Sequence, residues 1–190
     1  MKNLKNNIAQ LLANTGLSAN YLTCLGLFCA FLSGVLIYEG RFFLAGVALT
    51  LSGLLDLMDG AVARITQTAS KFGGILDSTL DRYGDGFVFA GLIFFCLRRG
   101  SALFAFLSVS AWMGSFLISY VRARAECVVP SCRVGFWERG ERIFYLALGL
   151  FLNNIALVLW VLAVATHGTA LIRLAYSKKE AWQIKGLSAF

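Results

Sequence analysis

Long apolar runs separated by short polar stretches occupy most of the chain. A transmembrane helix needs about 20 mainly apolar residues, and most of the runs approach or exceed that length. The run over 146–165 is divided at Asn153 and Asn154, because with its flanking residues it is too long for one span. The pattern therefore predicts six transmembrane helices, over residues 21–38, 42–63, 72–97, 102–121, 139–152 and 155–175.

The segment before the first span, residues 1–18, is polar and mildly amphipathic. Leu4, Ile8, Leu11 and Leu12 recur at a spacing that places them on one face of a helix. Such a segment is typical of a short helix that lies in the membrane interface, and a solvated tail is the alternative. Residues 176–190, after the sixth span, are predicted to form a polar tail.

The composition supports a membrane location for the whole chain. Hydrophobic residues make up 58% of the 190 residues and charged residues only 14%, whereas about a quarter of the residues in a soluble domain are charged. We therefore predict an all-α integral membrane protein. It should form one domain over residues 1–190, with the six-helix bundle at 21–175 and no separate soluble module.

Basic residues are concentrated at one end of the predicted bundle. If the N-terminus is inside, only Arg41, Arg98 and Arg99 lie on the outer side, and Arg82 lies within the third span. All other Lys and Arg residues are then cytoplasmic, so the positive-inside rule predicts a multi-pass protein of the cell membrane with both termini in the cytoplasm. The net charge of +7 on that face suits anionic headgroups or phosphates, not nucleic acid.

Four aspartates interrupt the apolar pattern at the cytoplasmic side. Asp56 and Asp59 lie in the last turns of the second span, and Asp77 and Asp81 lie in the first turns of the third. Spacings of three and four residues put each pair on one face of its helix. Because a short loop joins the two helices, we expect the four carboxylates to face each other at one depth, just inside the membrane.

Carboxylates placed this close together repel each other, and ionised side chains inside a membrane are costly unless they are paired. Hard divalent cations remove the repulsion, since carboxylate oxygens are the ligands they prefer. We therefore expect two ions, Mg²⁺ or Mn²⁺, in an arrangement suited to displacement at phosphorus. The residue types alone leave two alternatives, which are structural ion pairs within the bundle and the proton or ion pathway of a transporter.

Small residues and one arginine lie beside the aspartates. Gly60 and Gly73 are each one turn from an aspartate, and Ala63 continues the face of Gly60. Small side chains on this face leave room for a substrate, and Arg64 is placed to pair with a phosphate. The neighbours therefore favour a substrate site over simple helix packing.

These residues form the string D-x-x-D-G-x-x-A-R-x8-G-x-x-x-D-x-x-x-D, which runs from Asp56 to Asp81. The string resembles the signature of the CDP-alcohol phosphatidyltransferase family, with no position missing. The family's six-helix layout, with the N-terminus inside, also matches the predicted spans. Before the first span the chain has Ala19-Asn20, where the family often has Pro-Asn.

The resemblance implies a reaction and a role for each residue of the string. In this family a CDP-linked lipid binds with its pyrophosphate at the metal ions, an acceptor hydroxyl attacks the lipid-side phosphorus, and CMP leaves. The implied metal ligands are Asp56, Asp59, Asp77 and Asp81, and Asp81 is also the implied general base. The implied lining of the CDP pocket is Gly60, Ala63, Arg64 and Gly73. The resemblance also implies a homodimer, and it leaves Asp85 outside the site.

A second basic region bears on the acceptor. Arg122 and Arg124 end the fourth span, and Arg139 and Arg142 open the fifth, so these arginines can converge near the aspartates and bind a phosphomonoester. The positive-inside rule alone is the alternative explanation. The strings SYVRARAE and ERGER resemble the phosphatidylinositol-phosphate synthase branch, which implies inositol 1-phosphate bound by Ser119, Arg122, Arg124 and Arg142. Phosphatidylglycerophosphate synthases, which use glycerol 3-phosphate, are the nearest rival.

The remaining reactive side chains do not suggest a covalent intermediate. No Ser, Cys or His constellation suited to a nucleophile is visible, which favours direct transfer. Cys127 and Cys132 share the loop after the fourth span, where a disulfide is disfavoured on the reducing side. His167, the only histidine, is expected to pack or lie at the interface and not to act in catalysis.

Overall fold

The structure, a computed structural model, describes residues 9–13, 16 and 18–187, with side chains as far as residue 183. Residues 9–13 are helical and are called α1. The helices that follow are α2 (Ala19–Glu39), α3 (Phe42–Ile65), α4 (Lys71–Arg98), α5 (Ala102–Ala125), α6 (Arg139–Phe151) and α7 (Ile155–Leu187). The described residues contain no strand, so the predicted all-α fold is confirmed.

Each predicted span coincides with one of the helices α2 to α7, and most helix ends lie within about one turn of the predicted ends. The exception is α7, which continues as helix through much of the segment predicted to be a tail. Of the predicted interfacial helix, Leu4 and Ile8 lie outside the described residues. Its end, α1, packs Ala9 against Leu22 and Val62 at the ends of α2 and α3.

Four of these helices, α2, α3, α5 and α7, are long and apolar enough to cross a membrane. The other two differ for separate reasons. α4 is long enough, but its first half carries charged residues. α6 has only 13 residues, so it is about 20 Å long and shorter than the hydrocarbon core of about 30 Å. The chain is therefore a multi-pass membrane protein, whereas the count of six spans remains a prediction.

The bundle is organised around α2, α3 and α4 on one side and α5 and α7 on the other. α2 packs against both α3 and α4, α5 packs against α7, and α6 contacts α3 and α7. Leu49, Leu92, Leu146 and Leu159 are among the buried side chains of the core that joins the two sides. Many other large apolar side chains point outward, as expected of helices surrounded by lipid.

The backbones of α2 and α4 come into close contact where the two helices cross. A Cβ added to Gly91 would overlap the Gly34 carbonyl group, and a Cβ added to Gly34 would overlap the Phe87 carbonyl oxygen. Only glycine permits two helix backbones to approach this closely. This crossing fixes α4, and the aspartates on its first half, relative to α2.

A short turn joins α3 to α4 and brings their aspartates face to face. Gln67 adopts a positive φ of 55°, and the Thr68 amide donates to the Ala63 carbonyl oxygen at 3.0 Å. Ser70 then caps α4, its Oγ accepting a hydrogen bond from the Gly73 amide at 2.9 Å. The chain therefore reverses immediately after the first aspartate pair and begins a new helix just before the second.

The connection between α5 and α6 is held by a buried arginine on α7. Arg173 is 2% exposed, and its guanidinium donates to the Val134 and Ile118 carbonyl oxygens, each at 2.9 Å. Its Nη2 lies 3.6 Å from a carboxylate oxygen of Glu138, the residue before α6. Arg173 therefore fixes the path of the chain into α6.

Cys132 and His167 have packing roles in this fold. All five cysteines are free, so Cys127 and Cys132 do not form a disulfide. Cys132 is fully buried beneath α7 and lies 3.5 Å from the Ser177 hydroxyl. His167 lies on α7 and faces α5, with its Nε2 3.2 Å from the Ser110 carbonyl oxygen.

Candidate active site

Three of the four predicted carboxylates converge at the cytoplasmic ends predicted for α3 and α4. One carboxylate oxygen from each of Asp56, Asp59 and Asp77 lies within 4.8 Å of the others. The spacing of three residues puts Asp56 and Asp59 on one face of α3, and the short turn places Asp77 opposite them. This set of three residues is called the carboxylate cluster below.

The bonding of the carboxylate cluster fits a bound divalent cation. Asp59 is only 5% exposed, and the Thr23 hydroxyl donates a hydrogen bond to its Oδ2 at 2.7 Å. Asp77 Oδ1 is buried and has no hydrogen-bond partner among the residues described. A buried carboxylate oxygen without a donor is costly, and a cation bound by three such carboxylates would satisfy it.

Asp81, the fourth predicted ligand, lies beside the carboxylate cluster but is engaged by arginines. Its Oδ1 is 2.8 Å from Arg139 Nη1, and its Oδ2 is 3.6 Å from Arg82 Nη1. The same Arg139 nitrogen lies 2.7 Å from Asp56 Oδ1. Metal ligation by Asp81 therefore remains a prediction, because in this arrangement a guanidinium occupies the side of Asp81 that faces Asp56.

Asp85 belongs to the same charged network, although the family resemblance leaves it outside the site. It lies 3.5 Å from Arg139 Nε and 3.3 Å from Arg142 Nη2. Asp77, Asp81 and Asp85 follow one another at intervals of four residues, so they occupy one face of α4. The interval of four residues is the sequence signal that could have placed Asp85 in the site. Its arginine partners could not be found in this way, because they lie on a helix more than fifty residues further along the chain.

Two of the five predicted acceptor residues, Arg139 and Arg142, lie at the site. Both are in the first turn of α6, and Arg142 is 6% exposed. Arg142 Nη1 donates to the Trp137 carbonyl oxygen at 3.1 Å, and its Nη2 bonds Asp85. The start of α6 therefore brings two guanidinium groups against the carboxylates of α3 and α4.

The other three predicted acceptor residues are placed differently. Arg122 lies 3.1 Å from Glu126 and 3.5 Å from Glu138, so it is tied to the connection before α6. Burial alone would raise the pKa of Glu126, but the hydrogen bonds from Arg122 and the Cys132 amide, together with the charges of Arg122 and Arg133, lower the pKa below its usual value. Arg124 lines a mainly apolar groove between α5 and α7, together with Lys178. Ser119 is half-buried on α5.

A cavity of about 490 Å³ lies on the other side of the carboxylate cluster. Its walls include Asp59 and Asp77, and its mouth is bounded by the turn between α3 and α4 and by the start of α2. All four residues predicted to line a CDP pocket line this cavity: Gly60, Ala63, Arg64 and Gly73. Its volume lies in the usual range for a small-molecule site, which is about 300–1,000 Å³.

Thr23 is a functional candidate that is absent from the residues predicted from the sequence. It lies on α2, lines the cavity, and bonds the most buried aspartate of the cluster. The only sequence signal was a hydroxyl side chain near the predicted cytoplasmic end of an apolar span. Its role emerges from the packing of α2 against α3, which no local pattern reveals.

Fold and site together define a multi-pass helical membrane protein with a candidate divalent-cation site beside a ligand-sized cavity. Known proteins share the sequence pattern and the fold of this chain. The sequence pattern of the CDP-alcohol phosphatidyltransferase family matches residues 17–175, and the chain belongs to this family. It is therefore a transferase of phospholipid biosynthesis.

Individual relatives cover nearly the whole chain. The archaetidylinositol phosphate synthase of Pyrococcus horikoshii is 35% identical over 173 residues, which cover 90% of this chain and 89% of that protein. The crystal structure of Mycobacterium tuberculosis phosphatidylinositol phosphate synthase with CDP-DAG bound superposes with a TM-score of 0.83 at 29% identity, covering 92% of this chain and 94% of the other. The same enzyme in complex with manganese and citrate gives a TM-score of 0.80 at 29% identity, with 91% and 88% covered.

Proposed function

We propose that this enzyme transfers a phosphatidyl or archaetidyl group from a CDP-linked lipid to the hydroxyl of inositol 1-phosphate and releases CMP. The observation that carries the proposal is the position of the carboxylate cluster. It separates the cavity lined by the four CDP-pocket residues from the two arginines at the start of α6. The relatives named for inositol phosphate products support the choice of acceptor.

The donor is assigned to the cavity of about 490 Å³. The small residues Gly60 and Gly73 leave space for the nucleotide and its pyrophosphate. A Cβ on Gly73 would lie only 3.1 Å from the Ser70 hydroxyl that caps α4, so a side chain there would crowd both the cap and the cavity. Arg64 lines the same space and would pair with a phosphate oxygen.

Asp56, Asp59 and Asp77 would hold the divalent cation, with Asp81 as a further ligand where a second ion binds. When bound, Mg²⁺ or Mn²⁺ would neutralise part of the negative charge of the pyrophosphate. The manganese found in the mycobacterial relative supports this assignment. The three clustered carboxylates and the unpartnered Asp77 Oδ1 are the features of this chain that fit such an ion.

The acceptor is assigned to the side of the cluster that faces α6. Arg139 and Arg142 would bind its phosphate through charge-assisted hydrogen bonds, and Ser119, Arg122 and Arg124 are proposed to surround it. Asp81 would take the proton of the attacking hydroxyl. The hydroxyl oxygen then forms a bond to the lipid-side phosphorus, the bond from that phosphorus to the bridging oxygen breaks, and CMP departs with the electron pair. The proton leaves Asp81 to water.

The topology predicted from the basic residues fits this assignment. We propose that the site faces the cytoplasm in a six-span arrangement with both termini inside, where a soluble phosphorylated polyol is available. A homodimer in the cell membrane remains part of the proposal.

Purified enzyme offered CDP-diacylglycerol or CDP-archaeol and a panel of acceptors tests the proposal. CMP release should require a divalent cation and should be fastest with inositol 1-phosphate. Glycerol 3-phosphate as the better acceptor would make the enzyme a phosphatidylglycerophosphate synthase, and equal rates with free inositol would contradict an anion-binding acceptor site. Ion flux in proteoliposomes without any CMP release would contradict transferase activity itself.

A further inference from the structure

Within the described part of the chain, the polar partners of the Arg139 guanidinium are carboxylates. Its Nη1 lies within 2.8 Å of both Asp56 and Asp81. Its Nε is also buried and lies 3.5 Å from Asp85 Oδ1. Because these partners are charged side chains, the position of the guanidinium depends on the charge around it.

Arg142 and Arg173, which are more deeply buried than Arg139, are held differently. Arg142 donates a hydrogen bond to the Trp137 carbonyl oxygen at 3.1 Å, and Arg173 donates to two carbonyl oxygens at 2.9 Å. These backbone acceptors keep their place whatever the charge of the site. Arg139 is also the first residue of α6, and the dipole of a helix disfavours a cation at its N-terminus. The carboxylates are therefore what keeps Arg139 in the site.

The carboxylates are not equally available to a metal ion. Asp56, Asp59 and Asp77 already approach one another closely enough to share a cation. Asp56 has Arg139 at one of its oxygens, Oδ1, whereas Asp81 has Arg139 at one oxygen and Arg82 at the other. Ligation that needs Asp81 therefore requires Arg139 to move away, whereas the carboxylate cluster can bind a cation first.

We propose that Arg139 is a built-in counter-ion that blocks a second cation position at Asp81 until an anion draws its guanidinium away. The inference rests on the proposed function, since it takes the acceptor to be a phosphomonoester. An acceptor phosphate offers Arg139 a new partner, and Asp81 is then free for a second cation. Binding of the anion and of the second cation are thus coupled, and by linkage each strengthens the other.

The coupling can be measured without catalysis. Purified protein without CDP-lipid is titrated with Mn²⁺, and electron paramagnetic resonance counts free ions and detects spin-coupled pairs. We expect one tight site and one weak site in the wild type. Arg139→Gln should tighten the second site by roughly 10-fold or more, within the range typical of coupled sites, and should raise the spin-coupled signal. Arg139→Lys keeps the charge and should resemble the wild type.

Arg142→Gln is the matched control, because it removes the same charge from a residue one turn after Arg139 on α6. Arg142 contacts Asp85 but no member of the carboxylate cluster. It should leave the ratio of the two Mn²⁺ dissociation constants within about threefold of the wild type, less than the usual effect of true coupling. An unchanged ratio in Arg139→Gln, or a weaker second site, would overturn the proposal.

The wild type alone provides a second test that does not depend on the folding of any variant. Inositol 1-phosphate, or sulfate as a simple anion, should tighten the second Mn²⁺ site, and no shift with either anion would refute the coupling. This result is separable from the proposed function. A shift with sulfate but no CMP release with inositol 1-phosphate would refute the acceptor assignment and support the role of Arg139.

Discussion

Replacing Thr23 by Val removes one hydroxyl from the site while keeping the shape of the side chain. The hydroxyl lies 2.7 Å from Asp59 Oδ2, and it holds that carboxylate in the orientation seen beside Asp56 and Asp77. A hydrogen bond to a charged group contributes about 1.5–3 kcal/mol. Loss of a group that orients a metal ligand typically weakens metal binding by about 10- to 100-fold. Both arguments predict the same loss of Mn²⁺ affinity at the first site.

The assay is the Mn²⁺ titration by electron paramagnetic resonance, together with the Mn²⁺ dependence of CMP release. Thr50→Val is the control, because in the part of the chain that the structure describes the Thr50 hydroxyl bonds only the Gly46 carbonyl oxygen four residues earlier. The Thr23 hydroxyl also lies within reach of the carbonyl oxygen four residues earlier, that of Ala19. Thr50→Val therefore shows the effect of losing a backbone contact of this kind without losing a bond to Asp59. Equal Mn²⁺ affinity in the two variants would show that the bond to Asp59 does not prepare the metal site.

Three further substitutions test other parts of the site and the fold. Asp81→Asn should abolish CMP release while CDP-lipid still binds, and near-normal turnover would rule out Asp81 as the base. Arg142→Ala should raise the KM for inositol 1-phosphate by about 10- to 100-fold, as expected for a lost charge-assisted bond, with little change in the KM for CDP-lipid; Arg133→Ala should do much less. Gly91→Ala should lower stability by about 1–3 kcal/mol, because the added Cβ overlaps a backbone carbonyl of α2. Thermal unfolding in detergent would measure that loss, and Gly74→Ala, which meets open space on the same helix, should unfold near the wild-type temperature.

The helices and the motif could be predicted from the sequence because both depend on local spacing. Apolar runs set the positions of α2 to α7, and intervals of three and four residues set the faces of Asp56, Asp59 and Asp77. The turn at Gln67 and the cap at Ser70 also use nearby residues only. Local chemistry was therefore enough to anticipate the convergence of the carboxylate cluster.

The arrangement of the basic side chains could not be predicted in this way. Arg124 and Arg142 both flank the same loop, yet one faces an apolar groove and the other is buried against Asp85. The difference arises from the rotation of α5 and from the path of the chain into α6, which Arg173 determines from another helix. Contacts of this kind join distant parts of the chain, so no repeat or spacing encodes them visibly.

The shortness of α6 has a consequence for the surrounding bilayer. A helix of 13 residues is shorter than an apolar layer of about 30 Å. The bilayer beside it must therefore become thinner locally, or water must reach the ends of the helix. One of those ends carries Arg139 and Arg142. Local thinning of the bilayer at this point would bring the aqueous phase to the depth of the lipid phosphates. A water-soluble polyol and a lipid-anchored nucleotide can meet at that depth. We therefore expect turnover in vesicles to fall as the acyl chains of the host lipid are lengthened.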